Sequence, residues 1–211
     1  MRDTITRVNN LLRWATEVQA IAQTGLAYAK DKYDLERYHR IMDIAAEMMS
    51  IQSDTEHNPV HTAFLQQSGY ASPKVDVRAF IVDNDKLLLV QEAQDGKWSL
   101  PGGWADVNHT PSEAVIKEIA EETGFKARTT HLLALWDTAL HDHPPHWPYI
   151  YKCIFACEIT GGEWQENHEI LAAKFFSFDK LPPLSRYRIT ESQIRRLKKL
   201  YDSKEIKTHY D

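Results

Sequence analysis

The chain has 211 residues, a formal net charge of −5 and 43% hydrophobic residues. That is enough apolar material for a full globular core and a small second unit. The acidic balance gives no global attraction to nucleic acid. No apolar run approaches the ~18 residues of a membrane span. Met1-Arg2-Asp3-Thr4 leads into a polar amphipathic stretch rather than a secretory signal, so a cytoplasmic location is expected.

Helical periodicity opens the chain. Val8, Leu11, Leu12, Ala15, Val18, Ile21 and Ala22 recur at turn spacing between Thr4 and about Ala29, with Gly25 expected to interrupt or bend the helix. A second helix is expected after Asp34, with Tyr38, Ile41, Met42, Ala45, Met48 and Met49 as an apolar stripe of core type. Gln52 to Pro59 is polar and reads as a linker, Val60 to Gln67 as a short helix, and Ser72-Pro73 as a boundary.

From Lys74 the period changes to two. Val75, Val77, Ala79 and Ile81 alternate with Asp76, Arg78, Phe80 and Val82, Asp83-Asn84-Asp85 forms a hairpin turn, and Lys86 to Gln91 returns. Further strands are expected over 128–136 and 149–159, a turn at Gly161-Gly162, a strand over Lys174–Phe178 and a closing helix from Thr190 to Tyr201. Cys153 and Cys157 share a strand face about two pleats apart, too far for an easy disulfide, and read as reduced core cysteines. Mid-strand Arg78 faces either solvent or a polar cavity, where its fork could hold phosphate; Lys97 could do the same from a turn.

The segment Gly103–Phe125 carries the chemistry. Lys97-Trp98-Ser99-Leu100-Pro101-Gly102-Gly103 ends a strand in a tight turn. A helix then opens with Thr110 as N-cap, Pro111 at its first position and Glu113 completing a capping box, and Gly124 stops it. Glu118, Glu121 and Glu122, at i, i+3 and i+4, share one face, whereas Ile116, Ile119 and Ala120 are expected to point toward a sheet. Three clustered carboxylates are most often a solvated surface. Anchored this firmly, they suit a hard divalent cation such as Mg²⁺ bridging protein to phosphate.

Gly103, Glu118, Ile119, Glu121, Glu122, Gly124 and Phe125 fall in register on G-x5-E-x7-R-E-U-x-E-E-x-G-U, so the chain resembles the Nudix hydrolase family. Two signature positions differ: His109 replaces the first glutamate and Lys117 the arginine, which keeps the charge but loses the planar fork. The resemblance implies an α+β fold: a Nudix α/β/α sandwich with a mixed sheet at residues 71–211, preceded by a small helical domain at 1–70. It extends to the bacterial subgroup with an N-terminal helical domain, through Trp14-Ala15, Gln19–Gly25, Tyr33-Asp34 and Arg37-Tyr38.

That resemblance implies Mg²⁺- or Mn²⁺-dependent hydrolysis of a nucleoside diphosphate linked to another group, with CDP-choline first and ADP-ribose as the alternative. It assigns metal-ligand roles to Glu118, Glu121 and Glu122, with the Gly103 carbonyl as a further donor. The general base is Glu118, or Glu166 or Glu169 in the loop before the Ala172–Phe178 strand. His141, His143, Trp147 and Tyr149 lie in a long Pro-interrupted loop that reads as substrate-facing rather than as a zinc site. With Trp104, the aromatics of that loop could stack a base or hold a quaternary ammonium. The helical module is expected to support a homodimer. Arg186, Arg188, Arg195, Arg196, Lys198 and Lys199 could follow an RNA backbone, although such a run is more often a solvated helix face, and a non-catalytic nucleotide sensor is the remaining rival.

Overall fold

The computed structural model describes residues 2–53, 56–144, 146–203 and 205–211, with side chains for all of these except 2–9, 52 and 53. The Val8 side chain of the first stripe, Asp54-Thr55 of the expected linker and Pro145 of the long loop therefore lie outside the described residues. The chain divides into two units, Met1–Pro73 with Pro145–Tyr149, and Lys74–Pro144 with Ile150–Asp211. Among the described residues no helix is long and apolar enough to cross a membrane.

The first unit holds α1 (Arg2–Tyr28), α2 (Lys32–Ser53) and α3 (His57–Leu65). Ala15 and Ala22 of α1, Met42, Ala45, Ala46 and Met49 of α2, and Phe64 of α3 form its core, so the methionine stripe is core as expected. Gly25 does not interrupt α1. A Cβ there would stand 2.3 Å from the Tyr38 ring, so the glycine serves close packing of α2 on α1. The expected linker is shorter than its polarity suggested, because α2 continues to Ser53 and α3 already begins at His57. Trp147 joins this core, its ring 5.1 Å from that of Phe64.

The second unit holds β1 (Lys74–Asp83), β2 (Lys86–Glu92), β3 (Trp98–Ser99), α4 (Pro111–Thr123), β4 (Phe125–Asp137), β5 (Ile150–Gly162), β6 (Ile170–Ser177), α5 (Glu191–Asp202) and β7 (His209–Tyr210). The strands form one mixed sheet in the order β3-β2-β1-β5-β4-β7, with β6 paired to β2. β1 and β5 run parallel, β4 and β7 likewise, and the other pairs are antiparallel. Asn84 and Asp85, both at positive φ, make the two-residue turn between β1 and β2.

Period-two alternation gives the sheet two apolar faces. Phe80, Leu87, Leu89, Leu133, Trp136 and Ile154 pack with Ile194 and Leu197 of α5. Val77, Ala79, Ile81, Leu88 and Phe155 pack with Ala114, Val115 and Ile119 of α4. The result is the helix–sheet–helix sandwich expected of this unit.

Three local expectations change. Gly161-Gly162 is not a turn: these residues end β5, paired with Lys126 and Phe125, because β4 starts earlier than its hydrophobic pattern shows. β6 likewise begins at Ile170. Ala120 is exposed, while Ile119 is buried and Ile116 packs at the edge of the α4 core. Cys153 and Cys157 are both free thiols, and burial pushes the Cys157 thiol up to about 12.

Candidate active site

The turn before α4 is built against β1. Val77 N donates to Gly103 O at 2.8 Å, Ala79 N to Pro101 O at 2.8 Å, and Ala105 N to Val75 O at 2.9 Å. Only glycine fits this approach. At Gly102, φ is +135° and a Cβ would lie 2.0 Å from Val77 O. At Gly103 a Cβ would lie 2.8 Å from Glu118 Oε2, so the Glu118 carboxylate sits directly over the turn. The helix arrives there because its start is fixed: Thr110 accepts from Glu113 N, and Glu113 reciprocates to Thr110 N.

The three glutamates part company. Glu122 is buried and accepts from Gly102 N at 2.8 Å. Burial pushes its carboxyl up to about 8, the charges of Glu92 and Glu118 add to the rise, and Arg78 and the Gly102 N–H oppose it. Half-buried Glu118 is also raised, by burial first and by Glu121 among its neighbours. Glu121 is exposed, with its carboxylate 3.4 Å from Lys117 Nζ. Lys117 itself holds Asp106 at 2.7 Å. The lysine at the signature arginine position is thus turned to Asp106 and Glu121.

Buried Glu122 and half-buried Glu118 lie beside the Gly102-Gly103 main chain, where Arg78 opposes the rise of both, and their oxygens could help to hold a divalent cation. Among the described residues no three His, Cys, Asp or Glu side chains converge on one point. An ion would therefore draw its remaining oxygens from main chain, water and substrate, as Mg²⁺ commonly does. Gly103 O already accepts from Val77 N, which leaves its second lone pair for such a role.

Arg78 is buried, but much of its fork is committed to the protein rather than kept for phosphate. Its Nε donates to Asp76 at 2.9 Å and Nη1 to Leu100 O at 3.0 Å. Sequence reasoning missed the rest of this polar seam. Buried Lys152 donates to Asp76 and to Arg188 O, and burial lowers its ammonium to about 8. Glu92 accepts from Ser99 Oγ at 2.6 Å and pairs with Arg188 Nε at 3.0 Å. The available signal was Asp76 and Lys152 as charges inside apolar strands, directly paired in the β1–β5 register.

The other candidates disperse. Lys97 is exposed, and so is Trp104, at 52%. His141 turns to Asp211 at 3.0 Å and lies against Trp136, with ring centroids 4.7 Å apart. His143 Nδ1 lies 2.8 Å from Arg186 O, Trp147 is part of the helical core, and Tyr149 is exposed. Glu166 and Glu169 are exposed in the loop between β5 and β6.

Residues 72–197 match the NUDIX domain, and residues 9–64 match a domain described as UDP-X-like, N-terminal oligomerisation. The chain belongs to the Nudix hydrolase family and is a pyrophosphohydrolase. It is 40% identical, over 95% of its own length and 96% of the relative's, to a Bacillus subtilis protein named Putative ADP-ribose pyrophosphatase YjhB. A solved UDP-X diphosphatase matches 97% of this chain and 99% of that one at 37% identity, with a TM-score of 0.62. A solved ADP-ribose pyrophosphatase from Streptococcus suis matches 66% of this chain and 100% of that one at 39% identity, with a TM-score of 0.61.

Proposed function

We propose that the chain hydrolyses the pyrophosphate bond of a nucleoside diphosphate linked to a second group, with Mg²⁺ or Mn²⁺ as cofactor. The observation that carries this reading is the Glu118–Glu122 pair held over the Gly102-Gly103 backbone. A divalent cation there would neutralise phosphate oxygens and lower the pKa of the attacking water. Glu118 and Glu122 would hold it, the Gly103 carbonyl, water and substrate would supply further oxygens, and Glu121, paired with Lys117, would flank them. Arg78 offsets the negative charge of the pair. Glu169 serves as general base in preference to Glu166, because its main chain is held on both sides: Glu169 N donates to Asn167 Oδ1 at 3.0 Å and Glu169 O accepts from Ala93 N at 2.8 Å.

ADP-ribose stands first among substrates, since relatives at 40% and 39% identity carry that activity in their names. CDP-choline, the expectation from sequence, stands second: the exposed face of Trp104 suits a quaternary ammonium. The intramolecular contacts of His141, His143 and Trp147 favour shaping of their loop over direct contact with substrate, whereas exposed Lys97 keeps its place as a candidate contact. The RNA reading weakens at α5, where Arg195 pairs with Glu191 and Lys198 with Asp202.

The test is a turnover panel of ADP-ribose, CDP-choline, UDP derivatives and a short RNA with Mg²⁺ or Mn²⁺. Hydrolysis of ADP-ribose, reduced about 100-fold or more in Glu122→Gln, is expected. Preference for CDP-choline would change the substrate and keep the site. Tight ligand binding without turnover would replace the enzyme reading with a sensor.

A further inference from the structure

The loop from Glu163 to Glu169 is fastened to the end of α4. Gln165 N donates to Thr123 O at 3.2 Å. Gly124 lies so close beneath that a Cβ there would stand 2.4 Å from Glu163 O, and a Cβ on Gly162 would stand 2.4 Å from Gly124 O. The signature glycine therefore does more than terminate the helix: it leaves room for the loop. At the centre is half-buried Asn167. Its Nδ2 donates to the main-chain carbonyl of Glu122 at 2.9 Å. Its Oδ1 accepts from Glu169 N at 3.0 Å and from Ile170 N at 2.8 Å.

We propose that Asn167 is a positioning residue that holds Glu169 in register with Glu122, so that one side-chain amide sets the spacing between the carboxylate helix and the late-loop base. The inference rests on the proposed activity for its kinetic consequence, although the contacts stand without it. Asparagine is the residue type the geometry needs. One end of its side chain must donate to a carbonyl while the other accepts two main-chain N–H groups. Aspartate keeps the two acceptor bonds but sets a carboxylate against the Glu122 carbonyl. Alanine loses both ends. Among the described residues neither Glu166 nor Glu169 makes a side-chain bond to α4, so Asn167 supplies the side-chain link beside the main-chain bond from Gln165 to Thr123.

The experiment has two arms. In the metal-free protein, Asn167→Ala should speed amide exchange at Glu169 and Ile170 by about tenfold or more while Phe175 in β6 stays unchanged. Unchanged exchange at Glu169 would overturn the proposal whatever the activity. In kinetics, Asn167→Ala and Asn167→Asp should each lower kcat roughly 10- to 100-fold with KM within about twofold. Neither should add to the loss in Glu169→Gln. Full kcat in Asn167→Asp, or losses that simply multiply with Glu169→Gln, would overturn it. Asn167→Asp, which preserves the local turn, serves if Asn167→Ala fails to fold. Absence of wild-type turnover would refute the activity instead, and exchange at Glu169 would then decide the clamp alone.

Discussion

At the scale of single residues, Glu122 couples site chemistry to stability. Burial raises its carboxyl from 4.5 to about 8, so the folded protein keeps a proton that the unfolded chain has already lost. This contribution is fully present below the unfolded value and is lost as pH rises through the folded one. In chelator, thermal stability should therefore fall as pH rises from about 4.5 to about 8. Calorimetry across that range should show the decline, its flattening in Glu122→Gln, and its reduction by saturating Mg²⁺, which compensates the same charge. A wild-type profile that rises through this window would contradict the burial argument. Lys152 acts with the opposite sign. Its folded value of about 8 lies below the usual 10.5, so it favours the folded state as pH climbs from about 8 to about 10.5.

At the scale of elements, the turn before α4 and the helix itself form one device. Gly102 offers its N–H to Glu122 only because its φ of +135° and missing side chain let the turn lie on β1. Gly102→Ala should cost roughly 3 kcal/mol or more of stability, measured by denaturant unfolding. It should also lower the affinity for Mn²⁺, because a turn pushed off Val77 O no longer aims its N–H at the Glu122 carboxylate. Loss of stability with unchanged metal affinity would separate the turn from the site. Lys117 gives a milder case. Turned to Asp106 and Glu121, it neutralises the carboxylate that adds to the charge around Glu118. Lys117→Ala should change the metal dependence more than the thermal stability, since exposed ion pairs contribute at most ~1 kcal/mol.

At the scale of the whole molecule, α1 buries one face in its own unit and leaves a line of large apolar side chains exposed. Ala15 and Ala22 are buried against α2 and α3. One position before each, Trp14 and Ile21 stand exposed at 49% and 53%, and Tyr28 at 67% continues the same seven-residue line. An exposed heptad seam on a helix suits a second copy, and residues 9–64 match an oligomerisation domain. A homodimer through this seam is proposed. Ile21→Glu should shift sedimentation from dimer to monomer while the helical content is retained. A wild-type monomer at working concentration, or an Ile21→Glu dimer, would refute the seam.

The sequence by itself determined the parts whose physics is local. Thr110, Pro111, Glu113 and Gly124 mark both ends of α4 through capping and backbone conformation, and the alternation from Val75 to Val82 marks β1. It could not show which glutamates face inward, because i, i+3 and i+4 positions share a face whether or not they are buried. It misread Gly25 and Gly161-Gly162, because a lone glycine signals freedom equally for a bend, a strand end or a close contact. Only the tertiary structure decided that Glu122 is buried on Gly102, that Asp76 meets Lys152 across β1 and β5, and that Asn167 joins the late loop to α4. Each of these is a contact between residues far apart in the chain, and such contacts exist only once the sheet has brought its strands together.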